Sequence, residues 1–201
     1  MRNTTYIFLF LALSFFVITI PLEAQTESTS NQEYRIKAAF LYNFINFVDW
    51  PKEEVVDSNN LITVGIIGTD PFGKAFEPLK NKQAKGKDVL IKRFVSLKES
   101  EKSDKQIQAI RKCDLLFVCR SEKQQFKKII NIVKGHGVLT VGDINDFLEF
   151  GGIINFVIED QKVRFEINNN AAKQAKLSIR SKLLRLAKKV IEEENPGKTE
   201  N

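Results

Sequence analysis

The stretch Lys37–Pro51, KAAFLYNFINFVDWP, constrains this chain more than any other. Wound at 100° per residue, Ile36, Phe40, Leu41, Phe44, Ile45, Phe47 and Val48 cover about half the circumference or more. A helix on the rim of a domain needs an apolar stripe of only about 100°. The wider arc predicts a helix covered on two sides. One side is its own core, and the other is a sheet face, a neighbouring helix or another subunit. Pro51 ends the helix, because it has no N–H to donate and pushes residue 50 out of the α region. The more polar arc carries Arg35, Asn43, Asn46 and Asp49, with Tyr42 and Trp50 among them. Aromatic side chains with a polar tip suit interfaces, so Tyr42 and Trp50 are the candidate dimer or partner contacts.

Lys37 breaks the pattern by falling inside the apolar arc, between Phe44 and Val48. Two readings stand. The stem packs while the ammonium snorkels from the first turn, or the ammonium is buried and held by a carboxylate from elsewhere in the fold. The sequence does not name that carboxylate.

The N-terminus reads as an export signal over residues 1–24. Arg2 gives a basic start, Tyr6–Ile20 is apolar apart from Ser14 and Thr19, and Ala24 offers a small residue at the cut. The run is short for a membrane span, and an uncleaved anchor is the alternative. No Cys follows it, which speaks against a bacterial lipid anchor. Residues 25–32 form a polar linker, 33–194 a single α/β domain and 195–201 a flexible tail. A mature chain of 177 residues suits one domain with a sizeable core. The formal net charge of +6 is spread along the chain. It permits an acidic partner or an anionic membrane surface without requiring either. Nucleic acid is not an expected partner of an exported domain without a clustered aromatic and basic motif.

The order of elements predicts a mainly parallel sheet with helices on both faces. Leu61–Ile67, Val89–Phe94, Asp114–Val118 and Val138–Val141 are short apolar runs separated by helical patterns at 72–80, 100–111 and 122–134. Asn81–Lys87 reads as a basic loop, and a further short helix is expected at 144–150, ended by Gly151 and Gly152. Ile153–Ile158 and Lys162–Ile167 are close enough for an antiparallel hairpin at one edge. Ile179, Leu183, Leu186, Ala187 and Val190 form one stripe of a C-terminal helix over 178–194 that packs on the sheet. Arg164 and Glu166 on the wet face of the hairpin, with Arg180, Lys182 and Arg185 on that helix, form a candidate partner or anion contact. The same charges equally suit a plain solvated face.

No catalytic, metal or cofactor set emerges. His136, the one histidine, sits between two glycines without a Cys or carboxylate pattern beside it. Gly65–Gly68 is too sparse for a dinucleotide fingerprint. Asp143, Asp146 and Glu149 lie where acids ordinarily cap a helix. Cys113 and Cys119 bracket a strand, which separates them by roughly 20 Å, and a disulfide needs Cα atoms within about 7 Å. They are not expected to pair with each other. Two buried thiols or an intermolecular bond are the remaining readings.

Three stretches together resemble the YfiR family of exported bacterial regulators: Lys37–Pro51, Leu139–Phe156 (LTVGDINDFLEFGGIINF) and Val163–Ala187 (VRFEINNNAAKQAKLSIRSKLLRLA). Gly68–Gly73 after an apolar run also fits. The resemblance implies a periplasmic α/β domain that dimerises and has no catalytic activity or cofactor. It implies repression of an inner-membrane signalling protein, such as a diguanylate cyclase, through that protein's external sensor region. Release would raise cyclic di-GMP and promote biofilm formation. It also implies a cysteine near Cys113 used in a disulfide, for which this chain offers no intrachain partner. The alternative function is a periplasmic small-molecule-binding protein, acting with a sensor kinase. Its crevice would lie at the carboxyl ends of the strands, lined by Gly68–Phe72, Arg120–Glu122 and Gly142–Asp143. An unrecognised hydrolase is the remote third.

Overall fold

The computed structural model describes residues 22–51, 60–79, 82–98 and 103–192. The apolar run Tyr6–Ile20, the loop residues 52–59 and the tail 195–201 lie outside them. The chain divides into two compact units, residues 1–32 and 33–201. Of the first, the described part is the start of a helix, α1, which runs from Leu22 to Phe47. The expected polar linker at 25–32 is therefore helical, as no Pro or Gly interrupts it. Among the described residues no helix is long and apolar enough to cross a membrane.

The second unit is an α/β domain. After α1 come β1 (Val48–Asp49), β2 (Leu61–Ile67), β3 (Gln83–Ala84), β4 (Lys87–Phe94), α2 (Asp104–Arg111), β5 (Leu115–Val118), α3 (Phe126–Val133) and β6 (Leu139–Gly142). They are followed by β7 (Ile154–Glu159), β8 (Lys162–Asn168), α4 (Asn169–Gln174), β9 (Ser178–Ile179), α5 (Ser181–Leu184) and β10 (Lys189–Ile191). Eight strands form one sheet in the order β10-β8-β7-β6-β5-β2-β4-β3. Strands β4, β2, β5, β6 and β7 are parallel neighbours, β8 runs antiparallel to β7, β10 runs parallel to β8, and β3 runs antiparallel to β4. The chain steps from β2 to β4 on one side and then to β5 on the other, so the topological switch lies between β2 and β5.

Alternation along the strands divides the core. Leu115, Phe117 and Cys119 face α1, beside Phe44, Phe72, Phe156 and Phe165. Leu116 and Val118 face α2 and α3, with Cys113, Ile110, Phe126, Ile129 and Phe147. Phe44 stacks on Phe156 at 5.6 Å and meets Phe165 edge-on at 5.0 Å, which fixes the helix over β7 and β8. Full burial of each such ring contributes about 1.5–3 kcal/mol. One side of α1 is thus its own core. On its flank Phe40 and Phe47 are half-buried, and Ile36 stays exposed.

Several expected helices are shorter or absent. Of the helix expected at 72–80, the described residues 72–79 make turns and one 3₁₀ turn, Glu77–Leu79, entered where Asp70 Oδ1 accepts the Phe72 N–H. The 81–87 loop contains β3, which forms a tight hairpin with β4. Residues 144–150 are turns. The 100–111 helix starts at Asp104 under a Ser103 cap, and the 122–134 helix starts at Phe126. The largest correction is C-terminal. Of the stripe expected over 178–194, the described residues 178–192 form β9, the single helical turn α5 and β10, and residues 193–194 lie outside the described residues. Leu183 is buried, but Leu186 is 61% exposed. The competing force is strand pairing: β10 covers the outer edge of β8, and Lys188 N–H donates to Phe165 O at 2.8 Å. The β7–β8 hairpin consequently lies one strand in from the edge.

Both cysteines are free and buried on opposite faces of the sheet. Burial pushes the Cys113 thiol up to about 12 and raises Cys119 as well. Thiolate is the reactive form. At pH 8 iodoacetamide should label neither in the folded protein and both in guanidinium, as read by mass spectrometry. Gly65 is the second test. A Cβ there would lie 2.8 Å from Cys113 Sγ and from Leu116 Cδ1. Gly65→Ala should destabilise the domain by about 1–3 kcal/mol in urea unfolding.

Candidate functional site

The carboxyl edge of the sheet gathers the ends of β2, β5 and β6 against the α1 residues Glu33–Lys37. Asp143 follows β6, and Arg120 opens a 3₁₀ turn after β5. Lys37 is fully buried, and its Nζ lies 2.6 Å from Asp143 Oδ2 and 2.5 Å from Glu33 Oε1. Tyr34 donates its hydroxyl to the same Oδ2 at 2.9 Å, and Arg120 Nε approaches it at 3.2 Å. Arg120 Nε also donates to the Asp143 carbonyl at 3.2 Å, and its Nη2 lies 3.6 Å from Glu33. The buried-ammonium reading of Lys37 is therefore the correct one, and Asp143 is the carboxylate, 106 residues away.

Two acids and two bases leave the cluster neutral, which is what allows it to be buried. Burial, then the charge of Asp143, raises the Tyr34 hydroxyl, so it stays a neutral donor. Asp143 Oδ1 is buried without a hydrogen-bond partner. The Arg120 side chain is 58% exposed and forms the outer face of the cluster. Nothing here is set up as a nucleophile. Burial and the nearby carboxylates of Asp70, Asp143 and Glu122 all raise the neighbouring Cys119 thiol.

The three segments expected to line a crevice do meet at this edge, but they touch one another. Thr69 N–H donates to Ser121 Oγ at 2.9 Å. Gly68 has φ +100°, and a Cβ on it would lie 2.4 Å from that Oγ. Glu122, fully buried, accepts from Ser96 Oγ at 3.1 Å and Leu97 N–H at 3.2 Å. A cavity of about 360 Å³ lies instead between α1, β2, β4 and the 73–79 segment. Leu41, Ile45, Val64, Phe76 and Ile91 form part of its apolar wall, with Arg93 among its polar residues.

Tyr42 and Trp50 are half-buried, and their polar atoms are used within the chain. Tyr42 donates to Gln83 O at 2.6 Å and Trp50 to Asp114 O at 3.2 Å. Of the five charged residues expected to form a contact, Arg180 and Lys182 lie beside Asp49 and Phe47. Arg180 is bound to Asp49 at 2.9 and 3.0 Å, beside Lys85. Lys182 lies 5.4 Å from the Phe47 ring centre. Arg164 and Glu166 occupy the face of β8 opposite Val163 and Phe165, and Arg185 is exposed. The hydrogen bonds of Arg180 and Lys85 hold the Asp49 carboxyl well below the usual range. Its stabilisation is present above about pH 4 and lost as pH falls, and its exposure keeps it small.

The cluster makes a quantitative prediction. Lys37→Met and Asp143→Asn should each destabilise the domain, by up to about 3–5 kcal/mol. The double variant should lose less than the sum, with a coupling of about 1–3 kcal/mol in a urea-unfolding cycle. Additive losses would show that the pair does not hold the fold.

The domain's likeness to known proteins follows its fold. A search of curated proteins found no match. Among solved structures, a conserved domain protein of Vibrio cholerae O1 biovar El Tor matches with a TM-score of 0.53 at 11% identity. The match covers 78% of this chain and 60% of that one, and at this identity it speaks for the fold alone. The ABC domain of a Streptococcus pneumoniae protein, in complex with L-Trp, matches at 16% identity over 65% of this chain and 55% of that one. Its TM-score is 0.49, and no argument rests on it. The profile of the YfiR/HmsC-like family matches residues 34–188, from Tyr34 of the buried cluster to Lys188, just before β10. The chain belongs to the YfiR/HmsC-like family.

Proposed function

We propose that this protein is an exported, periplasmic regulator without catalytic activity. It binds and represses the external sensor region of an inner-membrane signalling protein such as a diguanylate cyclase. The carrying observation is the family match over residues 34–188, which takes in nearly the whole second unit. The burial of both thiols and the contact of Thr69 with Ser121 at the carboxyl edge of the sheet support a binding role. The reading includes a homodimer. In such a contact Tyr42 and Trp50 would contribute apolar ring area, since their polar atoms are already bonded. A small ligand is a second reading, favoured by the cavity of about 360 Å³.

The test is genetic and biochemical. Deleting the gene should raise cellular cyclic di-GMP several-fold and increase biofilm, and the wild-type chain should restore both. The secreted form should begin near Gln25 by mass spectrometry. Unchanged cyclic di-GMP in the deletion strain would refute a cyclase partner, and an intact Met1 would refute cleavage of the export signal.

A further inference from the structure

The two long sides of the sheet end differently. On one, β10 covers β8. On the other, β3 covers β4 only at Lys87 and Asp88. Among the described residues no strand lies outside Val89–Phe94. The direction of the free backbone groups follows from two hydrogen bonds. Asp88 N–H donates to Asn60 O at 3.0 Å, and Phe94 O accepts from Gly68 N–H at 3.1 Å. Both lie on the β2 side, so the even-numbered residues of β4 turn their backbone groups inward. With a period of two, Val89, Ile91 and Arg93 turn theirs outward. The same three residues line the 360 Å³ cavity with their side chains. The edge carries no Pro or bulge to block an added strand.

Its charge selects the occupant. Lys87 and Lys92 are exposed and make no ion pair among the described residues, while Asp88 is bound by Gln83 at 3.0 Å. Arg93 is half-exposed beside Asp70. A second copy paired along this run would bring two Lys92 and two Arg93 side chains into one small contact, which is unfavourable. We propose that the outer edge of β4 takes an extended, acid-rich segment of a protein partner as an additional strand. The segment pairs with the backbone of Val89, Ile91 and Arg93 and seats an apolar side chain in the adjoining cavity. This deepens the regulator reading by naming the surface that meets the partner.

Ile91→Pro is the selective variant, since it removes an outward N–H and leaves the β2 ladder intact. Lys87→Glu with Lys92→Glu changes only exposed side chains and serves if the proline variant fails to fold, as read by circular dichroism. The probe is a fluorescent ten-residue peptide alternating Glu and Val, with a Lys and Val counterpart. The full mature chain should bind the acidic peptide at least tenfold more tightly than the basic one. Binding should fall at least tenfold in either variant, and the amides of Val89, Ile91 and Arg93 should gain protection from hydrogen exchange. Equal binding of the two peptides, no binding, or binding untouched by both variants would overturn the proposal. So would a wild-type dimer that Ile91→Pro makes monomeric, which would give the edge to a second copy. In cells, a deletion that raises cyclic di-GMP together with variants that repress normally would refute the edge while sparing the regulator reading. A deletion without effect would refute that reading, and the peptide result would still decide the edge.

Discussion

The ion pair between Lys37 and Asp143 is the interaction on which the arrangement of this domain turns. An ammonium without water or partner costs several kcal/mol in a protein interior. A long apolar helix could pack on a sheet in several rotations, because Phe and Leu contacts are non-directional. Lys37 removes that freedom. Only one placement of α1 delivers its Nζ to the carboxylate at the end of β6, with Glu33 one turn earlier on the same side. Once the helix is placed so, Phe44 reaches Phe156 and Phe165, and Trp50 reaches the start of β5.

The same cluster explains why the carboxyl edge of the sheet is closed. In open parallel sheets the switch point is the usual place for a ligand. Here Ser121, Glu122 and Arg120 turn back over the ends of β2 and β6, and Gly68 lets the backbones approach closely enough for that. Among the described residues a cavity lies on the flank of the sheet, under α1 and beside β4. Family membership rests on the matched profile, and the fold likeness to the Vibrio cholerae protein adds architecture only.

Much of this was legible in the residues. The period of the apolar positions located α1, the apolar runs located β2, β4, β5 and β6, and the short spacing located the β7–β8 hairpin. These signals are local, and local sterics and burial decide them. Lys37 could be recognised as anomalous for the same reason. The motifs at 37–51, 139–156 and 163–187 pointed to the family that the matched profile covers.

What the sequence could not decide was which distant groups satisfy one another. Nothing near Asp143 distinguishes it from a helix-capping acid, and only the sheet brings it to Lys37. The C-terminal stripe of Leu183, Leu186 and Val190 satisfies the helical period, yet it yields one turn and a strand. Helical propensity is worth tenths of a kcal/mol per residue, whereas an uncovered edge of β8 presents a row of unpaired backbone groups. That edge exists only after the hairpin has docked. Local chemistry therefore determined the elements, and long-range satisfaction of charge and backbone hydrogen bonds determined how they meet.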